Sequence, residues 1–223
     1  MTPTLTAGDA TRLRECLAGD GVAVIPTDTV YGLACNPESD TAVRRVYALK
    51  RRAPVKPSAV MFFALEPAMR ALPELGPRTR AAMRAMLPGP VTLLLPNPHG
   101  RFPLACDPSG ARDPSGGGDD LDDDSTALLG LRVPALDGPL AALAAVRVPA
   151  AQSSANLSGC PDPRSLQNVP IELRNGADVV LDGGELPGAA STVVDLSRYE
   201  QDGRWQLVRE GPLNSSELER LLG

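Results

Sequence analysis

The chain has 223 residues, enough for one large domain or two small ones. It is 43% hydrophobic with no apolar run near the roughly 20 residues that cross a bilayer, which excludes a helical membrane span, and no basic-then-apolar segment opens it, so the cytoplasm is the expected location. Net charge is −5, one histidine is present and aromatics are 3%. Broad electrostatic binding of nucleic acid, histidine-dependent triads and base-stacking platforms are therefore poor fits. Cys16, Cys35, Cys106 and Cys160 never form CxxC, which argues against a zinc site or a disulfide framework.

In chain order, Thr11 to Ala18 reads as a helix and Gly21 to Pro26 as a buried strand. Thr41 to Leu49 reads as a helix capped by Ser39 or Asp40, with Ala42, Val43, Val46, Tyr47 and Leu49 on its apolar face. Strands are expected at Ser58–Ala64, Val91–Leu95 and Leu128–Val133, with a helix at Arg78–Met86 between the first two. The stretch from Asn97 to Ser125 gathers Pro, Gly and five aspartates and reads as a mobile acidic surface loop. Beyond it, Pro139–Val146 reads as a helix; Ala150–Ser153, Val179–Leu181, Ser191–Asp195 and Trp205–Arg209 read as strands. Ser215–Leu222 closes the pattern as an amphipathic helix with Ser215 as its cap. Alternating elements without a composition break predict one α/β domain around a largely central sheet.

Neither GxxxxGK[ST] nor a GxGxxG turn is present, and no GxSxG has a base histidine near it. Polar blocks instead cluster at predicted strand ends, where α/β sheets place ligands. Pro26-Thr27-Asp28-Thr29 puts two hydroxyls around one acid after GVAVI, either as a ligand hold or as a turn. Lys50-Arg51-Arg52 with Lys56 ends a helix, either complementing its dipole or clamping phosphates. Gln152 to Gly159 is a run rich in small hydroxyl and amide side chains, a ligand surface or an Asx turn with a cap. Ser191 to Asp195 adjoins a strand ending in Arg209, which is either a surface cation or a phosphate contact.

Taken in order, PTDTVYGL, KRR, LPGPVTLLLP, LGLRVP, SSANLSG and ASTVVDLS followed by LVREG resemble the YrdC family of threonylcarbamoyl-AMP synthases, in its short single-domain bacterial form. The resemblance runs from about Gly21 to Leu222, with only the acidic loop foreign to it. It implies a single-domain α/β fold, a twisted mixed sheet flanked by helices with a central cationic cavity. It also implies an activity: L-threonine, bicarbonate and ATP, with Mg2+ carried by the nucleotide, give threonylcarbamoyl-AMP and pyrophosphate for the modification of adenosine in tRNA. By the same resemblance Lys50 and Arg52 would act on the phosphates, with Lys56, Ser154, Asn156 and Arg209 also on the nucleotide. Thr29, Arg132 and Ser191 would hold threonine. Downstream threonylcarbamoyl-transfer proteins are the implied partners, with weak tRNA binding beside them. The chain departs from the common family pattern at Lys56, Met61, Leu128 and Asp162, where Asn, His, Thr and Ser are more usual. Two further readings stand beside this one: a relative handling carbamoyl-adenylate, which Met61 in place of His would suit, and a non-catalytic RNA-binding module.

Overall fold

The structure, a computed structural model, describes residues 3–51, 57–106 and 128–223. Arg52, Lys56 and most of the expected acidic loop lie outside the described residues.

A nine-stranded mixed sheet organises the chain, in the order β7-β1-β2-β6-β3-β5-β4-β8-β9. Its strands are β1 (Val22–Ile25), β2 (Gly32–Cys35), β3 (Ala59–Met61), β4 (Val91–Pro96), β5 (Leu128–Arg132), β6 (Ala150–Ser154), β7 (Val179–Val180), β8 (Thr192–Asp195) and β9 (Gln206–Arg209). The pairs β1–β7, β3–β5 and β4–β8 are parallel and the other five antiparallel. The helices are α1 (Ala7–Ala18), α2 (Asp40–Leu49), α3 (Leu65–Ala71), α4 (Pro77–Met86), α5 (Pro103–Cys106), α6 (Ile171–Gly176), α7 (Tyr199–Asp202) and α8 (Ser215–Leu222).

Strand alternation sorts side chains onto two faces. Val22, Val24, Leu33, Val60, Leu93, Leu131 and Val194 point to one face and merge with residues of α2 through α8 into the larger core. Ala23, Ile25, Ala34, Met61 and Ala150 point to the other, where Leu13 and Leu17 of α1 and Leu140 and Leu143 of a 3-10 helix at Gly138–Ala145 cover them. That second cover stops partway across the sheet. Beyond it, the same face of β3, β5, β4 and β8 lies open to a cavity lined by Ala59, Gly130, Thr92 and Val193.

Local sequence explains most of the boundaries. Thr6 and Asp9 form a reciprocal capping box, so α1 starts a turn earlier than the expected Thr11. Ser39 caps α2 by accepting from the amide of Ala42 at 3.1 Å. At α8 the cap is Asn214, not the expected Ser215, because Asn214 and Glu217 complete a second capping box.

Other differences are larger. The expected strand over Ser58–Ala64 pairs only at Ala59–Met61, and Ala64 becomes the N-cap of α3, which the apolar run conceals. The expected helix at Pro139–Val146 is a 3-10 helix at Gly138–Ala145, with Val146 as its extended C-cap. The start of the stretch read as mobile loop packs instead: Asn97 is 2% exposed, α5 follows, and the Asn97 amide donates to the carbonyl of Arg101 at 2.9 Å. No helix among the described residues is long and apolar enough to cross a membrane.

Candidate functional site

The loop Pro26 to Tyr31 joins β1 to β2 and carries the first polar block. Its three polar side chains turn inward onto Arg132 at the end of β5. Arg132 Nη2 donates to Asp28 Oδ1 at 2.6 Å, to Thr27 Oγ1 at 3.2 Å and to Thr29 Oγ1. Thr27 donates its own proton to the carbonyl of Val30 at 2.7 Å, so the 3.1 Å contact between the two hydroxyls runs from Thr29 to Thr27. Asp28 Oδ2 accepts from the amide of Ala135 at 2.9 Å, tying the loop to the segment after β5.

Arg132 is 4% exposed, and desolvation pulls its guanidinium below the usual arginine range; Asp28 opposes this and the nearby Arg209 charge adds to it. A buried arginine held at one nitrogen is unusual, because its remaining donors also need partners. Nε is buried without a hydrogen bond, and Nη1 has none among the described residues. The guanidinium lines the cavity, whose volume is about 450 Å3.

Across this space, Ser191 and Arg209 form a second polar corner. β8 and β9 pair antiparallel with Val193 opposite Arg209. Arg209 Nη2 donates to the Ser191 carbonyl at 2.8 Å and to its Oγ at 3.2 Å, while Ser191 Oγ and Thr92 Oγ1 lie 2.8 Å apart. Arg209 therefore lines the cavity with its head fixed, although the residue as a whole is exposed. Two cations facing one space, with Asp162 as the carboxylate on the wall, favour an anionic occupant.

The third corner is the end of β6. Lys50, the C-cap of α2, is 3% exposed; its Nζ donates to the Ser154 carbonyl and to Asn156 Oδ1, the latter at 3.1 Å. Ser154 Oγ donates to the same Asn156 oxygen at 2.7 Å, and Asn156 Nδ2 donates to the Cys160 carbonyl. Arg51 follows at φ +50°, a left-handed turn that ends the helix.

The structure thus brings Arg132, Ser154, Ser191 and Arg209 to one cavity wall. Thr29 is fully buried and reaches Arg132, while Lys50 and Asn156 meet beside Ser154. Of the departures from the family pattern, Leu128 and Asp162 line the cavity, and Met61 packs in the apolar cluster under α1. Sequence reasoning did not single out Ser58, Thr92, Gln152 or Asp28 as site residues. Thr92 and Gln152 lay inside quoted motifs, and their inward direction becomes visible only with strand alternation. No cluster of three His, Cys, Asp or Glu suited to a metal occurs among the described residues.

A family model described as "Telomere recombination", covering Sua5, YciO and YrdC, matches residues 15–211. The chain belongs to this family. It is 32% identical over 212 residues to the threonylcarbamoyl-AMP synthase of Bacillus subtilis, covering 91% of this chain and 53% of that protein. The crystal structure of Pyrococcus abyssi Sua5 complexed with L-threonine superposes with a TM-score of 0.77 at 26% identity, over 98% of this chain and 58% of that one. Escherichia coli YciO shares the fold, with a TM-score of 0.73 at 21% identity over 97% and 96% of the two chains. The chain spans about half the length of the first curated relatives it matches.

Proposed function

We propose that this chain is an L-threonylcarbamoyladenylate synthase, a nucleotidyltransferase that joins L-threonine, bicarbonate and ATP and releases pyrophosphate. The observation that carries the reading is Arg132: a buried guanidinium at the cavity wall, fixed on one nitrogen by Asp28 and the two threonines, with its Nε left without a hydrogen bond. A carboxylate is the ligand that such a planar donor set suits best. Membership of a family whose curated relatives are threonylcarbamoyl-AMP synthases supports threonine as its source.

In this mechanism no side chain becomes a nucleophile. Threonine's amine forms an N–C bond to the bicarbonate carbon with loss of water, and the resulting carbamate oxygen attacks the α-phosphorus of ATP, displacing pyrophosphate. The protein positions the two substrates and offsets developing charge. Arg132 holds the threonine carboxylate with Thr29 behind it and Ser191 beside it. Arg209 is assigned to the phosphates and Ser154 and Asn156 to the nucleotide end, with Lys50 behind them; by the family resemblance Arg52 and Lys56 would join Arg209. Mg2+ carried by the nucleotide would supply further charge neutralisation. The product would pass to proteins that transfer threonylcarbamoyl to tRNA.

The test is pyrophosphate release from ATP with threonine and bicarbonate supplied together or singly. Release that needs both is expected. Release unchanged when threonine is left out overturns the assignment, and carbamoyl phosphate replacing both substrates would favour the carbamoyl-adenylate reading.

A further inference from the structure

The open part of the sheet face has an unusual floor. Gln152 of β6, Ala59 of β3 and Gly130 of β5 stand side by side there, and Ala34 of β2, already under the α1 cover, ends the row, joined by the pairings Ala34–Gln152, Ala59–Gln152 and Val60–Leu131. Three of these four side chains are a methyl or a hydrogen. Gln152 alone rises from the row, and Gly32 on the neighbouring strand makes room for it: a Cβ built at Gly32 would collide with Gln152 Nε2 and lie 3.1 Å from the Ser153 carbonyl.

Gln152 is 5% exposed and lines the cavity, and its carboxamide makes no hydrogen bond among the described residues. Its polar atoms are reached from the cavity, so a ligand that fills the space must match them or leave them unpaired at a cost on the order of 1–3 kcal/mol. The requirement is specific. A carboxamide offers a donor and an acceptor side by side, and the matching group presents an acceptor next to a donor.

Its location narrows the choice. Arg132 is in register with Met61, which pairs with Ala150, so Gln152 lies two strands across and two residues along from Arg132. With strands about 4.8 Å apart and about 3.3 Å per residue, the two Cα atoms are roughly 12 Å apart, a gap that one small amino acid and the two side chains can fill. Gln152 is as deeply buried as Arg132, whereas Ser154 at the end of the same strand is half-buried.

We infer that Gln152 is a specificity-determining substrate contact that recognises the amine of the amino-acid substrate. This rests on the functional reading above. With Arg132 on the carboxylate, Oε1 accepts from the amine. Once the amine has taken up bicarbonate, its N–H and new carboxylate oxygen match both halves of the carboxamide, so the contact strengthens as the reaction advances.

The experiment is a cycle between protein and ligand, read by calorimetry. The Kd values of L-threonine and of 3-hydroxybutyrate, which keeps the carboxylate and hydroxyl but lacks the amine, are measured for the wild type and for Gln152→Met, which preserves volume and removes the hydrogen bonds. A non-hydrolysable ATP analogue is titrated alongside, and Tm is recorded for both proteins. Threonine binding is expected to weaken about tenfold in the variant, with 3-hydroxybutyrate and the ATP analogue unchanged within about twofold. Gln152→Asn, which keeps the chemistry on a shorter stem, should recover part of the loss if Gln152→Met proves unstable.

Equal weakening of threonine and 3-hydroxybutyrate, or weakening of the ATP analogue instead, overturns the inference while leaving the proposed activity standing. A wild type that binds no threonine removes the activity and the inference together.

Discussion

One face of the sheet does two different things along its width. Under α1 and the 3-10 helix it presents Ala23, Ile25 and Met61, packed against Leu13, Leu17, Leu140 and Leu143 in a continuous apolar cluster. Two residues along β3 and β6, and on across β5 and β4, the same face presents Ala59, Gln152, Gly130, Arg132 and Thr92 around a cavity of about 450 Å3. Strand geometry is the same in both halves; side-chain size and polarity differ. Where the cover ends, the apolar contacts of Ile25 and Met61 give way to a floor of Ala59 and Gly130, with the polar side chains of Thr92, Gln152 and Arg132 around it and Leu94 and Leu128 beside them. The first half holds the sheet together, and the second gives up packing to hold a ligand.

Exchanging roles between the two halves tests this contrast. The largest effect is expected at Arg132, where the halves meet. Arg132→Met should abolish measurable pyrophosphate release and also destabilise the fold by about 3–5 kcal/mol, because Asp28 is left as a buried carboxylate without its cation. Adding Asp28→Asn should recover most of the stability and none of the activity. If the double variant stays as unstable as the single one, packing and not charge explains the loss.

In the covered half, Leu13→Ala should cost about 2–5 kcal/mol in denaturant unfolding, since Leu13 is fully buried against the sheet. Activity per folded molecule should persist.

The reverse behaviour is expected from Gly130→Val. A Cβ there would meet Ala59 Cα at 3.5 Å and Ala59 Cβ at 3.7 Å, which is ordinary contact, and Val favours a strand. Stability should hold or rise slightly while threonine-dependent turnover falls roughly 10- to 100-fold, a loss of about 1–3 kcal/mol of transition-state binding. A Gly130→Val enzyme with full turnover would mean that this floor does not touch substrate.

Much of the contrast was legible beforehand, for physical reasons that also explain the gaps. LGLR alternates and VTLLLP is a short β-branched and apolar run ended by Pro, so both strands could be read directly. Motifs at strand ends pointed to the cavity corners because turn and ligand residues must follow strands. β2 was missed because GLAC is short, wholly apolar and adjoins the polar block, leaving no period to read. α5 and α7 span four residues each, too few to show helical periodicity. Gln152 and Asp28 were visible as letters, yet their roles depend on cross-strand neighbours about 20 to 120 residues away in sequence. Asp28 looks like a turn former until Arg132 is placed 2.6 Å from it.

The smallest expected effect concerns the far edge of the covered half, where Asp178 precedes the edge strand β7. Its Oδ2 accepts from the amide of Val22 at 2.8 Å, and its two oxygens accept from Arg45 on α2 at 2.6 and 3.1 Å. The Arg45 hydrogen bond first, then the Val22 amide, hold this carboxyl below the usual aspartate range. A carboxyl whose folded value lies below its unfolded one stabilises the fold in full above the unfolded value, near 3.9, and loses that contribution as pH falls through the folded value. The side chain is 46% exposed, so solvent screening keeps the effect small. Asp178→Asn should therefore lower unfolding free energy by about 0.5–1.5 kcal/mol at pH 7, with the difference from wild type shrinking below pH 4 and nearly gone near pH 2. Other carboxyls held low, among them Asp9 and Glu200, titrate in both proteins and cancel from the difference. Pyrophosphate release at pH 7 should be unchanged. A gap between variant and wild type that stays constant from pH 7 to pH 2 would assign the loss to geometry at the β1–β7 edge and not to the charge of Asp178.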